Sequence, residues 1–161
     1  MDRRAAQLIA DLALTPHPEG GYYRQIYRSM STVHAADGRP ARAALTTIYF
    51  LLPAGEVSRW HVVTSDEVWH YYEGAPLELL TADRDFGQVV RHRLGLPGDG
   101  TRPAHVVAAH DWQAARSTGP YTLVGCTVGP GFEFADFTML ATRTEQADRV
   151  RREHPDTALF I

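Results

Sequence analysis

The apolar positions of this chain change period twice. Between residues 3 and 13 they recur at helical spacing: Ala5, Leu8, Ile9 and Leu12 share one face. Pro16 and Pro18 end that helix. From there to about residue 140 the pattern alternates, as in strands. In YYRQIYRS (22–29), Tyr23, Gln25 and Tyr27 fall on one face, and Tyr22, Arg24, Ile26 and Arg28 on the other. ALTTIYFLLP (44–53) predicts a strand with Thr46, Ile48, Phe50 and Leu52 toward the core and Thr47, Tyr49 and Leu51 opposite. GEVSRWHVVTSDEVWHYYEG (55–74) reads as two strands about a turn at 63–66. Glu67, Trp69 and Tyr71 share one face of the second strand, and Val68, His70 and Tyr72 the other. Further strands are expected at 76–83, 89–93 and 105–116, with a loop over 94–103. YTLVGCTV (121–128) and FEFADFTML (132–140), joined by GPG, predict a strand pair on which Phe132, Phe134 and Asp136 share a face. The polar stretch 30–43 is expected to be a flexible loop. Thr142-x-x-Glu145 spells a capping box before a polar helix that stops ahead of Pro155, after which Phe160 and Ile161 dock the tail.

Short strands separated by Gly/Pro turns, with helices only at the ends, predict an all-β fold. Periodicity leaves barrel and sandwich both open. The chain has 161 residues, 44% of them hydrophobic, which suits a single domain spanning 1–161. A net charge of −3, with no basic run, argues against nucleic acid as a partner. No apolar run is long enough to span a membrane. The start, MDRRAAQLIADL, lacks the apolar core of a secretion signal, so a cytoplasmic location is expected. Cys126 is the only cysteine and cannot form an internal disulfide; mid-strand, it reads as a small buried hydrophobe.

Candidate chemistry concentrates in 55–74. His61 and Glu67 form a polar pair among Trp60, Trp69, Tyr71 and Tyr72, aromatics suited to a pocket wall. A histidine titrates near neutral pH, so His61 is the candidate general base, with Glu67 or Tyr71 as acid. Candidate ligand contacts are Arg24, Tyr49, Trp69, Gln113, Arg116, Phe134 and Asp136. Arg24, Arg59 and Arg116 leave room for an anionic substrate. His70 faces away from Glu67 and reads as structural. Around HPEGG, either His17, Glu19 or Arg24 reaches a ligand pocket, or the following tyrosine-rich strand only covers the barrel.

The spacing Gly55, His61, Glu67, Gly74 resembles the first motif of the cupin superfamily, whose second histidine position holds Val63 here. The chain as a whole is similar to the small cupins called cupin-5 or DUF985. The matching phrases are PHPEGGYYRQIYRS, TTIYFLLPAG, SDEVWHYYEGAPLELL, WQAAR and LVGCTVGPGFEFADF. The second motif is altered: Ala108 stands at its proline position, His110 at its glycine, Gln113 at its histidine and Ser117 at its asparagine. The resemblance implies a double-stranded β-helix, or jelly roll, with a short N-terminal and a C-terminal helix. It also implies a homodimer, for which the aromatic 22–29 strand is a plausible exchange element.

Three function classes then compete. The favoured one is an isomerase, epimerase or lyase without metal, acting on a polar small molecule that is anionic or sugar-like, with His61 as base. The second is a binding module for a small metabolite. The third is a metal-dependent dioxygenase or isomerase, which needs three or four converging ligands. Only His61 and Glu67 offer themselves as metal ligands, so no cofactor is expected.

Overall fold

The computed structural model describes residues 1–161. Helix α1 (Arg3–Asp11) starts at Asp2, whose carboxylate accepts the Arg4 and Ala5 amides at 2.8 and 3.1 Å. The strands follow in order: β1 (Thr15–Pro16), β2 (Tyr22–Arg28), β3 (Thr32–Val33), β4 (Arg42–Ala43), β5 (Thr46–Pro53), β6 (Val57–Val63) and β7 (Asp66–Gly74). Next come β8 (Leu77–Ala82), β9 (Val89–Leu94), β10 (Ala104–Val107), β11 (Trp112–Ser117), β12 (Tyr121–Gly129) and β13 (Phe137–Met139). Helix α2 (Thr144–Glu153) and a 3₁₀ turn, Pro155–Phe160, close the chain. No helix is long and apolar enough to cross a membrane.

Two antiparallel sheets make a jelly roll. One has the order β1-β2-β5-β12-β7-β10 and the other β13-β6-β11-β8-β9; β3 and β4 form a separate ribbon. Between the sheets lie Phe50, Trp69, Leu77, Leu79, Leu94, Val107 and Val124. Each fully buried leucine there contributes about 2 kcal/mol over its exposed state. The outer face of the six-stranded sheet packs Leu51 and Leu123 under Ala5 and Leu8 of α1. The outer face of the other sheet packs Trp60 and Trp112 under Ala147 and Val150 of α2 and under Phe160. The helices therefore cover sheet faces that would otherwise expose apolar side chains.

Four local expectations change. Residues 132–140 are not a strand paired with 121–128. Phe134–Asp136 forms a 3₁₀ turn and only Phe137–Met139 is extended, in the opposite sheet, against β6. The reason is Asp136, whose carboxylate receives Arg42 Nε and Nη2 at 2.7 and 2.8 Å. The same contact pins the 30–43 segment, together with Arg39, which reaches Thr64 and Ser65. Thr142 makes no capping box: it donates to the Met139 carbonyl at 2.7 Å, and α2 starts after Arg143 with no side-chain cap. In β2, the register shifts between Gln25 and Tyr27, so Tyr23 and Gln25 stay on the inner face while Tyr27 turns out, 54% exposed.

Candidate active site

Between the sheets, at the end where β6 turns into β7, lies a cavity of about 220 Å³. Alternation on four strands aims side chains into it: Thr46, Ile48 and Phe50 from β5, His61 and Val63 from β6, Glu67 from β7, Cys126 and Val128 from β12. Tyr23 and Gln25 of β2 and the rings of Phe132, Phe134 and Phe137 complete the walls. No lysine or arginine lines it.

The HPEGG turn supplies two more groups, His17 and Glu19. It lies along β6, stitched by Arg59 N–H to the Glu19 carbonyl at 2.9 Å and Arg59 Nη2 to the Pro18 carbonyl at 2.7 Å. Gly20 is required for this approach. Its φ is +113°, and a Cβ there would lie 2.1 Å from the Val57 carbonyl oxygen. Glu19 thereby enters the interior, 6% exposed, and accepts the Ser58 hydroxyl at 2.7 Å. Its Oε2 lies 3.4 Å from both His17 Nδ1 and His61 Nε2.

Those contacts are ion pairs only where a ring carries a proton, and burial works against that. Burial pushes Glu19 up to about 8, opposed in part by Ser58 and by the charge of Arg59. Burial, then repulsion from His61, brings His17 down to about 4. His17 Nδ1 also faces the backbone N–H of Glu19 at 3.3 Å and accepts it, which fixes the neutral tautomer. His61 is held by its Nδ1, which donates to the Arg59 carbonyl at 2.7 Å, so Nε2 carries the lone pair. Burial lowers the basicity of His61 by more than the charge of Glu67 raises it, and the net shift is downward. Glu67 is pushed up, chiefly by burial, and its Oε2 accepts Gln113 Nε2 at 2.6 Å.

The structure brings His61, Glu67 and Phe134 together in the cavity and adds His17 and Glu19. Trp69 and Gln113 lie directly beneath: Trp69 Nε1 donates to Gln113 Oε1 at 2.8 Å, and Gln113 in turn holds Glu67. The remaining candidates are spent elsewhere. Tyr71 points inward but donates its hydroxyl to the Gly74 carbonyl at 2.6 Å. Tyr49 lies on the opposite face of β5, against the α1 cluster. Arg24 is exposed and donates to the Leu12 carbonyl, and Arg116 pairs with Glu78 at 2.6 Å. Asp136 is neutralised by Arg42, which holds its carboxyl below the usual range. The arginines that suggested an anionic substrate thus lie off the cavity. Of the three residues named around HPEGG, His17 and Glu19 reach the cavity and Arg24 does not; the contact of Glu19 with His61 spans 42 residues of chain that alternation does not encode.

The metal set implied by the motif resemblance does not assemble. Val63 lines the cavity with two methyl groups, and both ends of the Gln113 amide are engaged. His17, Glu19 and His61 do approach one another, but His17 Nδ1 is engaged by the Glu19 N–H and the three side chains do not form a group that could hold a metal ion.

Comparison with known proteins agrees with this architecture. A hypothetical protein from Leishmania major superposes with a TM-score of 0.84 at 29% identity, covering 97% of this chain and 96% of that one. Protein SO0799 from Shewanella oneidensis superposes with a TM-score of 0.81 at 32% identity, covering 96% and 92%. Oxalate decarboxylase from Bacillus subtilis shares the fold alone, with a TM-score of 0.58 at 11% identity over 85% of this chain and 33% of that one. A search among curated proteins finds no match. The model of the family described as "Cupin superfamily (DUF985)" matches residues 6–140, and the chain belongs to that family.

Proposed function

We propose that this cupin is an acid–base enzyme of the isomerase, epimerase or lyase type, acting without metal, with His61 as general base and Glu19 as general acid. One observation carries the reading: His61 Nε2 and Glu19 Oε2 lie 3.4 Å apart at the floor of one cavity, where burial favours the uncharged form of each. Nε2 takes a proton from the carbon next to a carbonyl, and Glu19 gives its proton to the carbonyl oxygen, forming an enol. Return of a proton to the other face, or to the neighbouring carbon, gives the epimer or isomer; departure of a leaving group from the neighbouring carbon, protonated by the His61 imidazolium while the enol proton returns to Glu19, gives the lyase product. Glu67, fixed by Gln113, stabilises the imidazolium formed on the way. Tyr71, with its hydroxyl committed, drops out of the acid role.

The walls favour an uncharged, sugar-like substrate over an anionic one. Phe132, Phe134 and Phe137 offer apolar surface to a ring's C–H face, and no cationic side chain meets a carboxylate. The reading is tested by incubating candidate sugars and hydroxy-carbonyl compounds in deuterated water. Solvent deuterium should enter next to the carbonyl. Saturable binding with no exchange by any carbonyl compound would reassign the cavity to binding alone.

Freedom from metal rests on the donor set described above. Protein purified without chelators is expected to hold well under one transition-metal ion per chain by elemental analysis. Near-stoichiometric metal, lost on His61→Ala, would sink this part of the proposal.

A homodimer through β2 completes the reading. β1 pairs only with Tyr22 and Tyr23, so the edge from Arg24 to Arg28 is open, and Ile26 and Tyr27 beside it are 42% and 54% exposed. An open edge with aromatic side chains suits pairing with a second copy. Light scattering should return twice the 17.9 kDa chain mass. A monomer at micromolar concentration would refute it.

A further inference from the structure

A second hollow, also about 220 Å³, lies on the outer face of the five-stranded sheet. Strand register places Val62 beside both Trp112 and Thr138. The alternation that turns Val63 and Phe137 into the cavity turns these three outward, so the two hollows are back to back across β6 and β13. Trp112 forms the floor, only 1% exposed, with the Arg143 guanidinium over its ring at 5.2 Å.

The polar groups around this floor are donors. Arg84, His110 and Arg143 line the hollow, and none of the three forms an ion pair. The one acid at its rim, Asp136, has both oxygens taken by Arg42. Thr64 accepts a bond from Arg39, which leaves its hydroxyl proton free to point elsewhere. Arg143 is also the residue before α2, a helix of 10 residues that begins without a side-chain cap. The N-terminal end of that helix, which also carries Glu145 in its first turn, therefore borders the hollow. Two exposed guanidiniums outside any ion pair, Arg84 and Arg143, thus meet at one concave place, the second resting on the Trp112 ring.

His110 supplies an independent observation. Its φ is +71°, a region that L side chains rarely adopt, and its N–H is locked to the Val63 carbonyl at 2.9 Å. This is the position where the family motif has glycine. The imidazole is thereby held at the rim of the hollow, at some cost in backbone strain.

We propose that this outer hollow is a binding site for a small tetrahedral oxyanion, inorganic phosphate or the phosphoryl end of a metabolite, held by Arg84, Arg143 and His110 over Trp112. It is separate from the acid–base cavity and does not depend on the reading given to that cavity.

The test is calorimetric titration of the whole chain with inorganic phosphate, and separately with glycerol phosphate, at fixed ionic strength. Saturable binding at one ion per chain is expected. Tighter binding of the ester identifies a phosphorylated metabolite as the ligand class, and tighter binding of phosphate identifies the free ion. Arg84→Ala and Arg143→Ala should each weaken binding about tenfold or more, the usual loss of a charge-assisted hydrogen bond. Arg152→Ala, on the exposed side of α2, should not. His110→Gly should weaken phosphate binding yet raise the melting temperature, since glycine accepts the positive φ. A merely structural histidine would give the rise without the loss. Absence of saturable binding, equal weakening by Arg152→Ala, or full affinity in the Arg84, Arg143 or His110 variants would overturn the proposal.

Discussion

His61→Asn is expected to abolish turnover while the chain stays folded. Asparagine roughly keeps the buried volume, and its amide N–H still reaches toward the Arg59 carbonyl that now holds Nδ1 at 2.7 Å. What it lacks is the basic Nε2. Loss of a positioned general base costs about 10²- to 10⁴-fold in rate. Tyr71→Phe is the contrasting variant. Its hydroxyl bonds the Gly74 carbonyl, so its removal should cost about 1 kcal/mol of stability and leave turnover nearly intact. Deuterium-exchange rates and thermal melts of the two variants separate the roles. A His61→Asn chain within a few-fold of the parent rate would remove His61 from the mechanism.

Glu19→Gln is expected to stabilise the fold, and to do so more as the pH rises, while removing the acid. In the folded chain burial raises Glu19 from its ordinary 4.5 to about 8. Below pH 4.5 both folded and unfolded states carry the proton, and burial of this carboxyl carries no ionisation penalty. Between 4.5 and 8 the unfolded chain has lost the proton and the folded chain keeps it, so stability falls as pH rises. Above 8 the full penalty is present, on the order of 4 kcal/mol. His17 runs the other way. Its folded value near 4 lies below its ordinary 6.5, so the unfolded chain takes up protons first on acidification, and stability rises with pH between 4 and 6.5. The two slopes oppose each other up to about pH 6.5, and the decline due to Glu19 stands alone from there to 8. The lowered His61 and raised Glu67 add to these opposing trends in the same two senses. Urea unfolding of parent and Glu19→Gln chains at pH 5, 7 and 9 measures the difference. A gain that is the same at all three pH values would refute the assignment of a buried, protonated Glu19. Stability and activity are thus set against each other at one residue, as is common where a site holds a charge-capable group out of water.

Alternation by itself determined which side chains of β5 and β7 face inward; on β6 both faces are buried, His61 toward the cavity and Trp60 toward α2. A strand has two faces and a period of two, so Phe50, Glu67 and Trp69 follow from their neighbours locally. The first helix was legible for the same reason, since its period is a property of a short stretch; the C-terminal helix was marked only by Pro155 and by a capping box that does not form. The spacing of Gly55, His61, Glu67 and Gly74, with the matching phrases along the chain, pointed to the family and through it to the jelly roll. Sequence did not determine which sheet a strand joins. Residues 137–139 pair with β6 rather than β12 because Arg42, remote in the chain, captures Asp136. It also did not determine which inward groups remain free. Tyr71 and Gln113 face inward as alternation requires, yet their polar atoms are consumed by Gly74, Trp69 and Glu67, contacts that exist only once the strands are assembled. Glu19 and His17 reach the cavity because a turn with positive φ folds back along β6, and no period marks such a return. Local pattern fixed the faces; the partners, and with them the acid of the proposed reaction, were decided by long-range packing and by which carboxyls that packing buried.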